Sequence, residues 1–302
     1  MKKPTIGFIG QGWIGRNYAD DFENRGYRVV RYALEKPYNS NKHLIPTCDI
    51  VFIAVPTPTT SKGFDSRIVD QAISLVGKGK IAVIKSTLIM GTARKLQAKH
   101  PRQVVLHSPE FLSEKTAAYD AAHPSRNIIG LPKDTPPYRA AAQRVLKALP
   151  DSPYDLVCSS DQAEFIKYSH NVNGYIQVVF SNILYDLSHK LKIDWDMLKE
   201  CFNADPFMSH RYLNPVHQSG RGAGGHCFIK DFEAFTRFFG QNMPDKAGLK
   251  VLESIRDKNV ELLRSSKKDL DLLEGVYGKA GMSRAKAVRR SSRPRPKSPY
   301  RS

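Results

Sequence analysis

The sequence predicts an α/β protein in which a doubly wound parallel sheet is followed by an all-helical domain built on one long helix. Over roughly residues 1–150, short apolar runs alternate with segments of helical periodicity, as in a parallel sheet that is covered by helices on both faces. From residue 161 to 191 the chain has no proline, and its apolar residues recur at helical spacing. We therefore expect a first domain over 1–155, a helical domain over 156–268, and a tail over 269–302.

Individual elements follow from the same patterns. Strands are expected at 4–10, 27–34, 48–56, 80–87, 103–112 and 126–132. Helices are expected at 14–25, 66–77, 91–99, 161–191, 194–203, 231–240 and 245–265. The longest helix should begin with a capping box, because Glu164 lies three residues after Asp161. At ~1.5 Å per residue this helix would span ~45 Å, which suits the backbone of a second domain or a dimer interface.

The composition is that of an ordinary globular protein, with 41% hydrophobic and 25% charged residues. No apolar run is long enough to cross a membrane, and we expect a cytoplasmic protein. The formal net charge is +18, and eight Lys or Arg fall in the last segment, from Ser283 onward, which has no Asp or Glu. A basic surface suits an anionic small molecule or nucleic acid, so charge does not decide between them. We expect this Ser-, Pro- and Arg-rich tail to be disordered.

The cysteines indicate free thiols. The chain has four, Cys48, Cys158, Cys201 and Cys227, with no C-x-x-C pair and no spacing that suggests a metal site. In an intracellular enzyme one of them could be a nucleophile. Cys48 and Cys201 lie among apolar neighbours, and we expect both to be buried as small hydrophobic residues.

A phosphate-binding loop is predicted at residues 10–15, where GQGWIG matches the pattern G-x-G-x-x-G. The motif follows a predicted strand and opens a predicted helix, which is the context of a Rossmann-type dinucleotide-binding domain. Gly10 would permit the tight turn, Gly12 the close approach of a pyrophosphate, and Gly15 the packing of helix on strand. The helix N-terminus would offer N–H donors to the phosphates.

The end of the second predicted strand leaves the choice of dinucleotide open. In NAD-binding domains this strand usually ends in Asp or Glu, which bonds the ribose hydroxyls. Here the expected position falls near Ala33, and the nearest acid is Glu35. Arg31 and Lys36 flank it and would suit the 2′-phosphate of NADP. We predict NAD as the cofactor, with NADP as the alternative.

The segment GAGGHCFIKD at residues 222–231 is the most informative stretch for chemistry. Cys227 would lie at a helix N-terminus, where the helix dipole stabilises a thiolate, and the glycines would let a substrate approach closely. Asp231 follows one turn later and would place a carboxylate near the thiol. On spacing alone, a glycine-rich turn with a buried thiol is an equally good interpretation.

A second pair at i, i+4 spacing lies on the long predicted helix. Lys167 and Asn171 would share one face, where an ammonium and an amide can both donate to an oxyanion. Considered alone, the lysine fits a solvated polar face better.

Taken together, six segments in chain order resemble the UDP-glucose/GDP-mannose dehydrogenase family. They are GFIGQGWIG (7–15), VPTPTT (55–60), STLIMGT (86–92), SPEFLSE (108–114), AEFIKYSHNVNGY (163–175) and GAGGHCFIKD (222–231). They cover roughly residues 5–235, and the last three are the most specific.

The resemblance implies oxidation of the CH2OH group of a nucleotide sugar, first of all UDP-glucose, to a carboxylate by two hydride transfers to NAD. Cys227 would attack the intermediate aldehyde, and the resulting thiohemiacetal would be oxidised to a thioester that water hydrolyses. By motif, Lys167 and Asn171 would stabilise the oxyanions. Asp231 would position or activate the hydrolytic water.

Further residues acquire roles only through the resemblance. Thr87 and Glu114 would serve the network of proton transfer and water, with Glu110 close by. The cofactor would contact Gly10, Gly12, Trp13, Ile14, Gly15, Glu35, Val55, Pro56, Thr57, Ser86 and Thr87. The substrate would contact Glu110, Phe111, Leu112, Lys167, Asn171, Tyr212 and Gly224. We also expect a homodimer through the long helix, and nucleic acid is a possible partner of the basic tail.

Two features depart from the family pattern. Its members usually have a third domain that holds the nucleotide, whereas this chain ends about 70 residues after Asp231. We expect that domain to be missing and the affinity for the nucleotide to be weaker. The family also often has an arginine that reaches the partner's substrate. It would fall near Phe207 here, and Arg211 or Arg221 would replace it only in part.

Two other functions therefore stay open. One is a non-catalytic, degenerate dehydrogenase whose tail binds nucleic acid or another acidic partner. The expected loss of the third domain and the basic tail favour this interpretation, whereas the retained Cys227, Lys167, Asn171 and Asp231 count against it. The other is a simpler two-domain hydroxyacid dehydrogenase, which would share the fold and the Lys167–Asn171 pair but would not need the cysteine loop.

Overall fold

The computed structural model describes residues 3–208 and 210–284. The chain divides into two compact units, of which the first comprises Met1–Pro58 and Phe64–His170 and the second comprises Thr59–Gly63 and Asn171–Ser302. None of the helices in the described residues is long and apolar enough to span a membrane.

Strands dominate the first part of the described chain and helices the second. The strands are β1 (Ile6–Ile9), β2 (Val29–Tyr32), β3 (Ile50–Ile53), β4 (Thr59–Thr60), β5 (Gly63–Phe64), β6 (Ile81–Ile84), β7 (Val104–His107), β8 (Asn127–Leu131), β9 (Asp155–Ser159), β10 (Val216–His217) and β11 (Gly220–Arg221). The α-helices are α1 (Trp13–Asn24), α2 (Arg67–Ser74), α3 (Thr92–Lys99), α4 (Ala117–Ala122), α5 (Pro136–Leu146), α6 (Ser160–Leu191), α7 (Trp195–Ala204), α8 (Gly225–Asn242), α9 (Lys246–Ser265) and α10 (Leu270–Arg284). Short 3-10 helices lie at Tyr38–Thr47 and His210–Tyr212.

The first unit is built on a seven-stranded sheet in the order β2-β1-β3-β6-β7-β8-β9. Alternate residues of each strand enter opposite faces, since Phe8 and Phe52 join a cluster with α1 and α5, whereas Ile9 and Ile53 join a cluster with α2 and α3. Helices thus cover both faces of a mainly parallel sheet. The fold class that the sequence predicts is confirmed.

One junction in the sheet differs from an all-parallel arrangement. Strands β7 and β8 pair antiparallel through His107 and Gly130, while the other neighbouring strands pair in parallel. A parallel partner would require the chain to return across the sheet before β8. The helix in this connection, α4, has six residues and rises only ~9 Å, so the chain enters β8 from the opposite end.

The second unit is helical, apart from short strand pairs, and has two apolar clusters. In the first, Tyr175 of α6 stacks on Phe232 of α8 with ring centroids 3.9 Å apart. In the second, Ile229 of α8 packs with Leu263 of α9 and Leu273 of α10. Helix α8 begins at Gly225, six residues before the start expected from the sequence, because its first turn carries the polar segment that includes His226.

The prediction that residues 269–302 form a disordered tail is wrong for the first half of that segment. Residues Leu270–Arg284 form α10, and Leu273 and Val276 are buried against α8 and α9. The apolar residues of this segment do recur at helical spacing, but the segment adjoins the basic run that begins at Ser283. Residues 285–302, on which the prediction of nucleic-acid binding mainly rests, lie outside the described residues. Cys48 is buried as expected, whereas Cys201 is exposed on α7 because its helix face is not covered within the described chain.

The start of α6 corrects the predicted capping box by two residues. Ser159 Oγ accepts a bond from the Gln162 amide N–H at 3.3 Å, and Gln162 Oε1 accepts one from the Ser159 N–H at 2.9 Å. Glu164 is fully buried and instead accepts the backbone N–H groups of Gly91 and Ala93, at 2.6 and 2.7 Å. Its carboxylate therefore caps the N-terminus of α3.

Replacing this buried cap should destabilise the protein. Glu164→Gln turns one acceptor oxygen toward a donor amide, and we expect a loss of about 1–3 kcal/mol in the free energy of unfolding, because a backbone N–H group is left without an acceptor. Urea denaturation measures the change. Asp161→Asn is the control, since Asp161 pairs with Arg94 at the surface and should cost under ~1 kcal/mol. Equal losses in the two variants would contradict the assignment.

Candidate active site

The glycine loop between β1 and α1 has the geometry of a phosphate-binding loop. Gly10 has a φ of 92°, and a Cβ there would overlap the carbonyl oxygen of Ala54. A Cβ on Gly15 would overlap the carbonyl oxygen of Gly10, so the helix approaches the strand closely. A Cβ on Gly12 would meet no atom within 4 Å, and no side chain caps the helix there. The first-turn N–H groups are therefore open to a pyrophosphate, which fits a bound dinucleotide.

The residues after β2 bear on the choice of dinucleotide. Arg31 is nearly buried, and its guanidinium forms ion pairs of 2.7 Å with both Asp20 and Glu23 of α1. Glu35 is exposed beyond the strand. Because two carboxylates already neutralise Arg31, the charge that would attract a 2′-phosphate is largely satisfied, and this arrangement favours NAD over NADP.

The loop that follows β3 is fixed from the neighbouring strand. The Ser86 hydroxyl accepts a bond from the Val55 N–H at 3.0 Å and donates to the Val55 carbonyl at 2.7 Å. Thr57, in the loop after β3, and Thr87, after β6, are both buried, whereas Pro56 is exposed. Ser86, expected to line the cofactor, thus holds the Val55 loop in place.

The segment after β7 brings the buried carboxylate of Glu110 to the buried ammonium of Lys167. Lys167 of α6 donates to the carbonyl oxygen of Glu110 at 2.7 Å and to its carboxylate at 3.1 Å. The other carboxylate oxygen accepts the Leu112 N–H at 2.8 Å. Glu110 and Lys167 are each 4% exposed, whereas Glu114 is exposed on the surface. The lysine is therefore not a solvated side chain, and Glu110 rather than Glu114 is its carboxylate partner.

Several buried groups near this segment were not expected from the sequence. Lys85 donates to the Ser108 hydroxyl at 3.1 Å, and burial lowers its pKa to about 8. His107 is fully buried with its Nε2 3.3 Å from the Ser86 carbonyl, and burial lowers its pKa to about 3. A charged residue at the end of an otherwise apolar strand, as in KIAVIKST, is the signal that could have identified Lys85.

Phe111 lies between cationic groups in the same unit. The Arg126 guanidinium is 3.9 Å from the ring centroid, and the Lys167 ammonium is 5.3 Å from it. His170 packs edge-on against the ring. Such contacts fix the aromatic side chain and, with it, the backbone of the segment predicted to hold the substrate.

In the second unit, Asn171 and Asp231 form a buried pair. The Asn171 amide donates to the Asp231 carboxylate at 2.6 Å, and Lys230 forms an ion pair with its other oxygen at 2.5 Å. Asp231 is fully buried. Asn171, which the sequence singled out for oxyanion chemistry, thus contacts Asp231, which it singled out for water chemistry. Lys230 is a further partner of Asp231 that the sequence did not predict.

Cys227 is the third residue of α8 and is exposed, so the alternative of a buried thiol does not hold. It lies one helical turn before Asp231, and the N-terminal end of a helix favours negative charge. Phe228 follows it and packs near Tyr212, with ring centroids 6.0 Å apart. A cysteine accessible to an electrophile therefore lies one turn from a buried carboxylate.

The arginines near this loop are placed differently from each other. Arg221 donates to the Asn182 side chain at 2.9 Å and pairs with Asp186 at 2.7 Å, so it is engaged with α6 of its own chain. Arg211 is exposed, and Phe207 is 96% exposed. Within the described residues, no group of three or more His, Cys, Asp or Glu is placed to hold a metal ion.

A glycine loop at the N-terminus of α1, on a mainly parallel sheet that is covered by helices on both faces, defines a Rossmann-type dinucleotide-binding unit, and a helical unit follows it. The chain belongs to the UDP-glucose/GDP-mannose dehydrogenase family: the NAD binding domain of that family matches residues 33–149, and its central domain matches residues 161–261.

Named relatives support this membership. A UDP-glucose 6-dehydrogenase of Bacillus subtilis is 29% identical over 76% of this chain and 53% of its own length. The UDP-glucose 6-dehydrogenase of Pseudomonas aeruginosa is 28% identical over 71% of this chain and 50% of its own length. The chain thus spans about half the length of these curated relatives.

Solved structures show the same fold. A UDP-glucose dehydrogenase from Pyrobaculum islandicum aligns with a TM-score of 0.73 at 23% identity, covering 96% of this chain and 85% of that one. A 3-hydroxyisobutyrate dehydrogenase from Mycobacterium tuberculosis aligns with a TM-score of 0.67 at 15% identity, covering 91% and 98%. The fold is therefore shared with this 3-hydroxyisobutyrate dehydrogenase as well.

The buried His107 should make stability depend on pH. Its pKa is about 3 in the folded protein and 6.5 as the unperturbed value, so the unfolded chain binds a proton that the folded chain does not. Stability from this group is present above pH 6.5 and is lost as the pH falls toward 3, by about 1.4 kcal/mol per pH unit.

Comparing wild type with His107→Gln isolates this contribution from that of other groups. Glutamine can still donate to the Ser86 carbonyl but does not titrate. Between pH 6.5 and 4, the free energy of unfolding of the variant should fall less steeply than that of wild type. Parallel curves from urea denaturation at each pH would show that His107 is not held neutral.

Proposed function

We propose that the chain is an NAD-dependent nucleotide-sugar 6-dehydrogenase that oxidises UDP-glucose or a close relative to the uronate through a thioester on Cys227. The observation that carries the proposal is the exposed Cys227 on the first turn of α8, one turn before the fully buried Asp231, which is bonded to Asn171. A simple hydroxyacid dehydrogenase has no use for this thiol.

The reaction balances as one CH2OH group, two NAD⁺ and one water giving one carboxylate, two NADH and three protons. When bound, NAD accepts the hydride in each oxidation. After the first oxidation the Cys227 sulfur forms a bond to the aldehyde carbon, the π bond of the carbonyl group breaks, and the thiol proton is transferred to the carbonyl oxygen to give the thiohemiacetal. Oxidation of this thiohemiacetal gives the thioester, and water then displaces the thiolate, which is a good leaving group.

Oxyanions form on the substrate oxygen at the tetrahedral stages. We assign their stabilisation to the Lys167 ammonium and the Asn171 amide, which lie one turn apart on α6. Both are buried and held by carboxylates, Glu110 and Asp231 respectively. Because the donors are fixed before the charge develops, little reorganisation is needed. We also assign to Asp231 the acceptance of a proton from the hydrolytic water.

Further roles follow the family resemblance. Thr87 joins the proton-transfer network, and the backbone of Phe111 and Leu112 holds the sugar. The packing of Arg126 on the Phe111 ring and the hydrogen bond from the Leu112 N–H to Glu110 support a rigid backbone there. Glu114 is exposed, so we assign the buried acid of the first unit, Glu110, to this network ahead of it.

Cys227→Ser should abolish uronate formation, by at least about 100-fold, because serine cannot form the thioester through which water completes the second oxidation. Uronate by mass spectrometry and NADH at 340 nm, two per sugar in wild type, are the measurements. Cys201→Ser is the matched control, since Cys201 is also exposed, and it should stay within twofold of wild type. Undiminished activity in Cys227→Ser would overturn the mechanism.

We also propose that the chain forms a homodimer through α6. Phe180, Ile183, Leu187 and Leu191 of this helix are 44–58% exposed and recur at spacings of three and four residues. They form one apolar stripe on the helix surface. An exposed stripe of this kind is typical of an association surface.

Leu187→Ser should shift the chain from dimer to monomer, because it removes apolar area from the centre of the stripe. Light scattering after size exclusion, over a range of protein concentrations, gives the dissociation constant, which we expect to rise at least tenfold. Val251→Ser is the control, since Val251 is as exposed on α9. If the two variants weaken association equally, α6 is not the dimer surface.

A further inference from the structure

The backbone that leads to Cys227 is held by side chains from the end of α9 and the turn after it. Asn259 is fully buried, accepts the Ala223 N–H at 2.7 Å and donates to the Ala223 carbonyl at 2.9 Å. The Ser266 hydroxyl accepts the Arg221 N–H at 2.9 Å. Both backbone groups of Ala223 are thus satisfied by one amide side chain.

Two consecutive charged residues continue the same pattern. The Lys268 ammonium, 3% exposed, donates to the Gly222 carbonyl at 3.1 Å. The Asp269 carboxylate accepts the Gly225 N–H at 2.7 Å. We call Asn259, Ser266, Lys268 and Asp269 the brace, and residues 220–227 the cysteine loop. Burying an ammonium is costly unless it is hydrogen-bonded, and the Gly222 carbonyl supplies an acceptor for Lys268 here.

The glycines of the cysteine loop make room for the brace. A Cβ on Gly224 would overlap Asp269 Oδ2 and lie 2.8 Å from Lys268 Cε. A Cβ on Gly220 would lie 2.6 Å from Ser266 Oγ. The φ of Gly224 is −108°, which any residue can adopt, so close contact and not backbone conformation requires glycine there. These glycines admit the chain's own side chains, whereas the sequence suggested that they admit the substrate.

The brace contacts the start of α8. Gly225 is the first residue of that helix, and its N–H is the group that Asp269 holds. Cys227 lies two residues further along, within the same turn. The bond from Asp269 thus holds the backbone of the turn that carries the sulfur. The family match ends at residue 261, so Ser266, Lys268 and Asp269 lie beyond the part of the chain that the family's central domain defines.

We propose that Lys268 and Asp269 are positioning residues that fix the cysteine loop so that Cys227 meets the aldehyde carbon. The proposal rests on the proposed function of Cys227. It assigns a catalytic purpose to a segment of this chain outside the family's two matched domains. Neither residue touches the reacting atoms, and each acts through the backbone of the loop.

Asp269→Ala and Asp269→Asn separate the bond from general stability. Asparagine keeps an oxygen that accepts the Gly225 N–H, whereas alanine does not. We expect kcat for uronate formation to fall at least tenfold in Asp269→Ala, with the KM for NAD within twofold of wild type because NAD binds the first unit. Asp269→Asn should stay within threefold. Asp271→Ala, an exposed acid two residues later, is the control and should match wild type.

Hydrogen–deuterium exchange supplies a measurement that needs no substrate. In Asp269→Ala, the peptide that covers residues 221–227 should exchange at least tenfold faster, while peptides of β1 and β3 keep the wild-type rate. Lys268→Met, which retains the apolar stem, should act likewise, and Lys267→Met, at an exposed neighbour, should not.

Gly224→Ala gives an independent test of the contact. In the wild-type background the added methyl group should displace Asp269 and lower the melting temperature. In the Asp269→Ala background the same change should cost clearly less, because the carboxylate is gone and only Lys268 remains close. Equal losses in both backgrounds would show that the brace does not occupy this space.

The outcomes distinguish the two proposals. Uronate formation by wild type, with unchanged kcat and loop exchange in Asp269→Ala, overturns the brace and leaves the proposed function standing. Faster loop exchange with no oxidation of UDP-glucose or of any related nucleotide sugar by wild type overturns the proposed function, and the catalytic purpose of the brace falls with it. Faster exchange with kcat unchanged makes the brace structural only and also overturns the proposal. Loss of kcat with faster exchange, rescued in Asp269→Asn, supports both.

Discussion

Helix α6 has to bury polar side chains, and a buried polar group is costly unless it finds a partner. Within the first unit, Glu164 meets this requirement by capping α3 and Lys167 by binding Glu110. Within the second unit, Asn171 meets it by binding Asp231 and Asn182 by binding Arg221. Each of these hydrogen-bonded pairs forms in only a few orientations of the two side chains. The helix is therefore fixed in rotation and register against its neighbours in each unit, and the side chains to which we assign chemistry, Lys167 and Asn171, are fixed with it.

The two glycine-rich loops look alike in the sequence but differ in the structure. At residues 10–15, the middle glycine faces open space at an uncapped helix end, so a ligand can take the first-turn N–H groups. At residues 220–225, side chains of the same chain already occupy the space beside the glycines and take the backbone groups. Glycine permits close approach without specifying what approaches. The sequence could therefore indicate a close contact in both loops but not its partner.

The parts of the fold that the sequence predicted are those set by local patterns. Short apolar runs predicted β1, β3 and β6, and helical spacing placed α6 within one residue of its observed start. The antiparallel pairing of β7 and β8, the cap that Glu164 provides and helix α10 depend on contacts between distant residues. Glu164 shows the reason, because its spacing from Asp161 fits a local cap as well as the distant one it makes.

Some residues of the candidate site could likewise be predicted from local sequence patterns, and others could not. Cys227, Lys167, Asn171 and Asp231 were predictable because their spacing and the family motifs agree. Their partners were not, since Lys230 gives no motif signal and Glu110 was placed beside the network without a defined partner. Asp269 was hidden in the segment that the sequence assigned to a disordered tail, and Lys268 is the last residue before that segment. Charge near the end of a helix-forming segment is usually solvated, and only the fold shows that this lysine is 3% exposed.

The charge that Asp269 brings to α8 also constrains how the brace can act. A carboxylate bound to the first N–H of a helix neutralises part of the positive end of the helix dipole, an effect of about 0.3–1 kcal/mol for an exposed group. That positive end is the feature that would otherwise favour a negative sulfur at Cys227. A residue that served Cys227 through electrostatics at this N–H group would be a cation or a neutral donor instead. Asp269 therefore acts through position, and asparagine, which keeps the bond and removes the charge, is the substitution that separates the two effects.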